Sequence, residues 1–522
     1  MSTSATSVGG APSGEASATG EQRLERNVLS VPNGIALAAA AMAPVIAVVL
    51  NAPAAAPSAG SAVPLAFLLA FIATLFVGNT VIQFARHMPS AGSFYTFNSQ
   101  GLGTTAGFAT GWLYWMGYAL LVPGLMTAFG SFASAALKAE FGVDVKWWVL
   151  SLAALAIVLG LSIRSIKASV QLDLALLVGE VIIFTILLVI AIVTSHGGNS
   201  IELYNPSSRG GGGISGVGLG MVFGILSFLG FDAAATLGEE TRNPRRNVPL
   251  AVAGALIGVG VFYVFATYGL SAGYGIADPA KLAAFAKDSS PISTLAQDKA
   301  SWIAGLVDIA GSVGIFSCFL ACHNATVRIV FSLGRDRVLP GWVGDVHQRY
   351  FSPAKAILLQ TAFTAAIGFG LAAWIGPGAT GAYGFSGALA TVATILVWIL
   401  GSVALMRYYW RRPDRNLLTH GLVPVLAALV LIYPIYTVAK PGQAWPYNLV
   451  PYLVLAWIVL GALVWAALRA RHPERIASLG AVFEEEADEL MAEGGATGAR
   501  TPSLESVAHP GSQSGRAPTP RG

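Results

Sequence analysis

Ser227-Phe228-Leu229-Gly230-Phe231-Asp232-Ala233-Ala234-Ala235-Thr236-Leu237-Gly238-Glu239-Glu240 closes an apolar run that begins near residue 214. A membrane span needs about 20 mostly apolar residues, because hydrocarbon offers the backbone no hydrogen-bond partners outside the chain. This run is long enough, yet it carries a glycine and an acid in its second half. Gly230 lowers helix stability, and Asp232 is a good N-cap for a half-helix that starts again. The stretch therefore reads as a membrane helix broken midway. Amides and carbonyls freed at such a break can bind ions and zwitterions, which makes it a candidate binding site.

A second break lies in the first apolar run, at Ala41-Met42-Ala43-Pro44-Val45, where the Pro44 ring cannot enter a regular helix interior without loss of a hydrogen bond. Applied to the whole chain, the length criterion places helices near 30–52, 62–86, 104–135, 147–163, 170–195, 214–238, 248–274, 302–332, 354–376, 382–407, 418–438 and 447–470. The fold class is all-α and polytopic, with about twelve transmembrane helices. The two breaks fall in the first helix of each of two five-helix sets, 30–195 and 214–407, and two further helices occupy 408–470. Matching breaks at corresponding positions point to inverted repeats around a midplane site. A proline kink in one helix and a close-packing glycine in the other is the plainer alternative.

Composition agrees with a bilayer environment. Of 522 residues, 55% are hydrophobic and 11% charged, more apolar surface than a water-soluble fold can bury. The net charge of +4 is too small and too unevenly placed to point to nucleic acid, and reads as membrane topology instead. Basic residues gather after even-numbered helices, as at Arg86, Arg242, Arg245, Arg246, Arg328, Arg407 and Arg411, and are sparse after odd-numbered ones, as at Lys138, Lys146 and Lys440. This distribution predicts an inner (plasma) membrane protein with both termini cytoplasmic. Residues 1–22 lack the basic start and apolar core of a signal peptide, so the first helix is expected to direct insertion. Residues 1–29, and 471–522 with their acidic stretch at 477–492, are expected to be cytoplasmic and mostly disordered.

From Phe228 through Glu239-Glu240-Thr241-Arg242-Asn243-Pro244 to Pro249, the sequence resembles the helix 6 signature of amino acid-polyamine-organocation permeases. Met88-Pro89-Ser90-Ala91-Gly92-Ser93-Phe94-Tyr95 is similar to their helix 2 exit, and Arg328 through Pro340 to their helix 8 exit. The resemblance covers residues 30–470. It implies the leucine-transporter-type fold with unwound helices 1 and 6, alternating access, and secondary transport of an amino acid or related organic amine or polyamine. Members that carry amino acids usually have a glycine-rich helix 1 break, where this chain has Ala-Met-Ala-Pro-Val. Proton-coupled members often place a lysine in helix 5, where this chain offers Glu180.

The candidate substrate site is made of Met42, Ala43, Pro44 and Val45, of Ser227, Phe228, Leu229, Gly230, Phe231 and Asp232, and of Tyr118, which with Tyr114 and Trp115 either lines a cavity or packs between helices. Asp232 either meets a substrate ammonium or caps the restarted half-helix. Glu180 lies about ten residues into helix 5, close to the bilayer centre, where an acid is costly unless it faces a cavity or a partner. Proton coupling, amine binding or a structural hydrogen bond would each account for it. Glu239 and Glu240 with Arg328 either form an inner gate or an ordinary charge pair at helix ends. Asp308 is read as an acid near the outer interface. Cys318 and Cys322 form no disulfide framework and no metal site, and are expected to pack in the core. Gly254 and Gly258 make a GxxxG, a helix-packing signal. No nucleophile-base arrangement and no dinucleotide site appears, so no enzyme activity and no cofactor is expected. The partners expected are a small-molecule substrate, a proton and the lipid bilayer, for a monomer or homodimer. An exchanger is the alternative transport reading, and a channel or transport-dead sensor the alternative outside that class.

Overall fold

The computed structural model describes residues 30–88, 92–163, 170–195, 197–206, 212–237, 241, 243–335, 339–345 and 352–471. Among these the regular elements are helices: α1 (Val31–Met42), α2 (Val63–His87), α3 (Thr104–Phe141), α4 (Trp147–Ile163), α5 (Val170–Thr194), α6 (Gly213–Ser227), α7 (Pro244–Tyr274), α8 (Ser301–Arg335), α9 (Ala354–Ile375), α10 (Ala382–Tyr409), α11 (Val423–Ala439) and α12 (Val450–Arg471). Among the described residues, ten helical stretches are long and apolar enough to cross a bilayer. One of them, Val31–His87, runs 57 residues through both α1 and α2, and α4 is a shorter apolar helix.

The burial pattern is that of a protein whose outer solvent is lipid. Ile182, Val261, Ile309 and Leu463 are all more than half exposed on helix faces, while Asn51, Gln83, Asp308 and His323 are buried between helices. With hydrocarbon outside, apolar residues gain nothing by facing inward, and polar groups must find partners within the bundle. α3 packs along α10 and α8, α2 along α7 and α6, and α1 along α7. Of the GxxxG pair, only Gly254 serves a close approach, since a Cβ there would meet Ile35 of α1 at 2.7 Å, whereas Gly258 faces open space.

Several boundaries differ from the sequence reading. α3 runs on to Phe141, and α7 begins at Pro244, whose ring suits the first turn of a helix. The sixth apolar run is broken where the sequence reading placed the break, but it restarts as a 3-10 helix over Phe231–Leu237 after α6 stops at Ser227. Three short helices went unread because they are brief or too polar: Phe94–Leu102, Pro279–Lys287 and Pro291–Lys299. The terminal segments 1–29 and 472–522 lie outside the described residues, and with them the expected disorder and the acidic stretch.

Candidate functional site

Pro44 disfavours the right-handed helical region for the residue before it, and Ala43 leaves that region for φ 45°, ψ 71°, in the left-handed region rather than the extended one usual before a proline. α1 ends there, Pro44–Ile46 starts again, and Ala47–Asn51 forms a π-turn before the helix resumes over Ala52–Ala59. On the other side α6 ends at Ser227, Phe228-Leu229-Gly230 turns with Gly230 at φ +95°, and the 3-10 segment follows. A left-handed residue costs about 1–2 kcal/mol except at glycine, so Gly230 suits its position and Ala43 is held by its surroundings.

The two breaks meet. The Tyr263 hydroxyl, on α7 and fully buried, donates to the Met42 carbonyl at 2.8 Å and to the Ser227 carbonyl at 2.6 Å. These are the last residues of α1 and α6, so one side chain satisfies carbonyls released at both breaks. Beside them, Asn51 Nδ2 donates to Ser227 Oγ at 2.8 Å, and Tyr383 OH on α10 donates to Asn51 Oδ1 at 2.7 Å.

A cavity of about 290 Å³ opens between the breaks. From the first break Met42 and Ala43 line it, and from the second Ser227, Leu229, Gly230 and Asp232. Tyr118, Asn51, Tyr383 and Arg328 supply further polar groups, and most of the remaining wall is Leu, Ile and Ala. Cys318 and Cys322, expected simply in the core, are half-buried in this wall with their sulfurs 3.9 Å apart.

Other candidates lie behind the wall. Phe228 stacks on Phe71 and stands edge-on to Tyr263, and Phe231 packs against Trp398. Val45 points at Gly314 of α8, and Pro44 is buried with it. Trp115 packs against Trp112 and Trp457. Asp232 is the second residue of the restarted 3-10 segment rather than the residue before it, and its Oδ2 accepts a hydrogen bond from Ser93 Oγ at 2.6 Å. Glu180 is 8% exposed and has no hydrogen-bond partner among the described residues. Its Oε2 faces Gly314, one helical turn from Cys318, so it stands beside the cavity rather than in its wall. Arg328 lines the cavity and is otherwise exposed, while Glu239 and Glu240, its expected gate partners, lie outside the described residues.

The amino acid permease family model matches residues 35–472, and so covers both breaks, the cavity and every element that frames them. The chain belongs to the amino acid permease family. Relatives of this permease include the methylthioribose transporter of Bacillus subtilis (strain 168), 24% identical over 442 residues that cover 81% of this chain and 89% of that protein. The branched-chain amino acid permease BcaP of the same organism is 25% identical over 431 residues, 79% of this chain and 87% of its own. The low-affinity putrescine importer PlaP of Escherichia coli (strain K12) is 26% identical over 360 residues, 68% and 75% of the two chains. All three are transporters, and their named solutes are chemically unlike one another.

In this permease the sequence reading missed Asn51, Tyr263 and Tyr383. Asn51 carried a usable signal, a lone amide after Val48-Val49-Leu50 within an apolar run. The two tyrosines carried none that separates them from the other tyrosines of the chain.

Proposed function

We propose that this permease is a secondary active transporter that imports an amino acid or related organic amine by alternating access, coupled to protons through Glu180. The observation that carries the reading is the cavity bounded by both helix breaks. Its volume suits a small organic solute, and residues of both breaks, Met42 and Ala43 on one side and Ser227, Leu229, Gly230 and Asp232 on the other, line it beside the polar groups of Asn51, Tyr118 and Tyr383. In this reading twelve spans are arranged as five-helix repeats over 30–195 and 214–407, followed by two helices over 408–470, with both termini cytoplasmic. The helix pairings support the repeat, because α1 packs on α7 as α6 packs on α2, and α3 packs on α10 as α8 packs on α5. Met42, Ala43, Ser227, Leu229, Gly230, Asp232 and Tyr118 contact the substrate, Pro44, Val45, Phe228 and Phe231 shape the breaks from behind, and Arg328 with Glu239 and Glu240 closes the inner end.

The test is uptake into vesicles that hold the purified protein, with neutral amino acids, basic amino acids and diamines offered in turn, with and without an inward pH gradient. Saturable accumulation of one class that the gradient drives uphill is the expected result. Accumulation that needs internal substrate and ignores the gradient would replace import with exchange, and conductance far above transporter turnover would end the alternating-access reading.

A further inference from the structure

The helix Pro291–Lys299 lies across the start of α8 with Ile292, Leu295 and Ala296 buried beneath it. Under the same helix lies Asp308, only 3% exposed. Its Oδ1 is hydrogen-bonded to Ser293 Oγ, which in turn lies 2.5 Å from Ser290 Oγ. Its Oδ2 is buried and has no partner among the described residues. No Lys, Arg or His side chain among them is within ion-pair distance.

We propose that Asp308 is a proton-binding site, neutral whenever the Pro291–Lys299 helix is seated, so that seating this helix and loading this proton are one event. The inference stands apart from the role given to Glu180. A carboxylate shares its charge over both oxygens, and a charged oxygen buried without a partner is far costlier than a neutral one. In the neutral acid the proton on Oδ1 is donated to Ser293 Oγ, Ser293 donates onward to Ser290 Oγ, and Oδ2 is left as a plain carbonyl oxygen. To ionise, Asp308 must reach water, which requires the helix above it to lift.

The groups around it favour this assignment. From α3 the nearest charge is Glu140, a second acid, exposed and held by Gln297 Nε2 at 2.6 Å. From the loop, Asp288 is taken up by Tyr274 OH and the Ser290 amide, and Asp298 pairs with Lys299 at the surface. From α5, Glu180 lies at Gly314, six residues or about 9 Å further along α8. None supplies a positive charge to an ionised Asp308. On the proposed topology this end faces outward, so the proton comes from the external medium.

The test places a cysteine under the helix, Ala296→Cys, in a chain with Cys318→Ala and Cys322→Ala. Its maleimide labelling rate in proteoliposomes is divided by that of the exposed Thr294→Cys, which removes the thiol's own titration. With Asp308 present the ratio should rise by about tenfold per pH unit as pH increases, the slope for one proton released per opening. With Asp308→Asn it should be flat. Asp308→Leu, which replaces the acid by an apolar side chain of similar size, takes its place if the amide is not accepted. A flat ratio with Asp308 present overturns the proposal. So does the same slope in either variant, which would assign the proton to Glu140 or Asp288.

Discussion

Gly230 and Ala41 are in backbone contact across the two breaks. A Cβ on Gly230 would lie 2.8 Å from the Ala41 carbonyl oxygen and 3.1 Å from Ala41 Cβ, closer than van der Waals radii allow. With φ at +95°, any side chain also adds backbone strain. Gly230→Ala is expected to cost about 1–3 kcal/mol of stability, and Gly230→Val to insert but lose uptake by pushing α1 from the cavity. The check is uptake normalised to membrane-inserted protein. Wild-type transport by Gly230→Val would remove the role assigned to this break.

Ser93 ties the helix 2 exit to the second break through its hydrogen bond to Asp232, and it does so from a strained position at φ 43°. Ser93→Ala removes the bond and keeps the strain, for an expected loss of about 1–3 kcal/mol. Ser93→Gly also loses the bond but relieves the backbone. Its melting temperature should fall between wild type and Ser93→Ala, and the reverse order would mean that the conformation at 93 is not strained.

Tyr263 offers one proton to two carbonyls, so Tyr263→Phe leaves Met42 O and Ser227 O buried without their shared donor while filling nearly the same volume. A loss of about 2 kcal/mol is expected, within the range for an orphaned buried group. Because the phenol joins the end of α1 to the end of α6, transport should fall more than stability alone explains. Unchanged melting and unchanged uptake together would show that the two breaks do not depend on this link.

Glu180→Gln imitates the protonated acid in shape but cannot release a proton. Under the proposed coupling, substrate counterflow survives while gradient-driven accumulation collapses, by roughly 100-fold or more. Loss of binding itself, greatest for diamines, would instead place the substrate's amine at Glu180. Unchanged accumulation would leave the residue a purely structural acid.

The chain's apolar runs alone determined that it lives in a bilayer, because hydrocarbon forces each crossing to be long, apolar and internally hydrogen-bonded. Both helix breaks were likewise legible, since a proline ring and a glycine act on their own backbone wherever the helix is placed. Local chemistry does not tell which residues of a break face the cavity and which face the bundle. Met42, Ala43, Ser227, Leu229, Gly230 and Asp232 reach the cavity, whereas Pro44, Val45, Phe228 and Phe231 turn into the bundle, and that division depends on which neighbours surround each turn. What joins the site is non-local. Asn51 bonds to Ser227 across 176 residues, Tyr383 to Asn51 across 332, Tyr263 to Met42 across 221, and Ser93 to Asp232 across 139. A hydroxyl or amide does not declare its partner in sequence. Only the packing of α1, α6, α7 and α10 brings each donor within reach of the carbonyl or side chain that burial would otherwise leave unsatisfied.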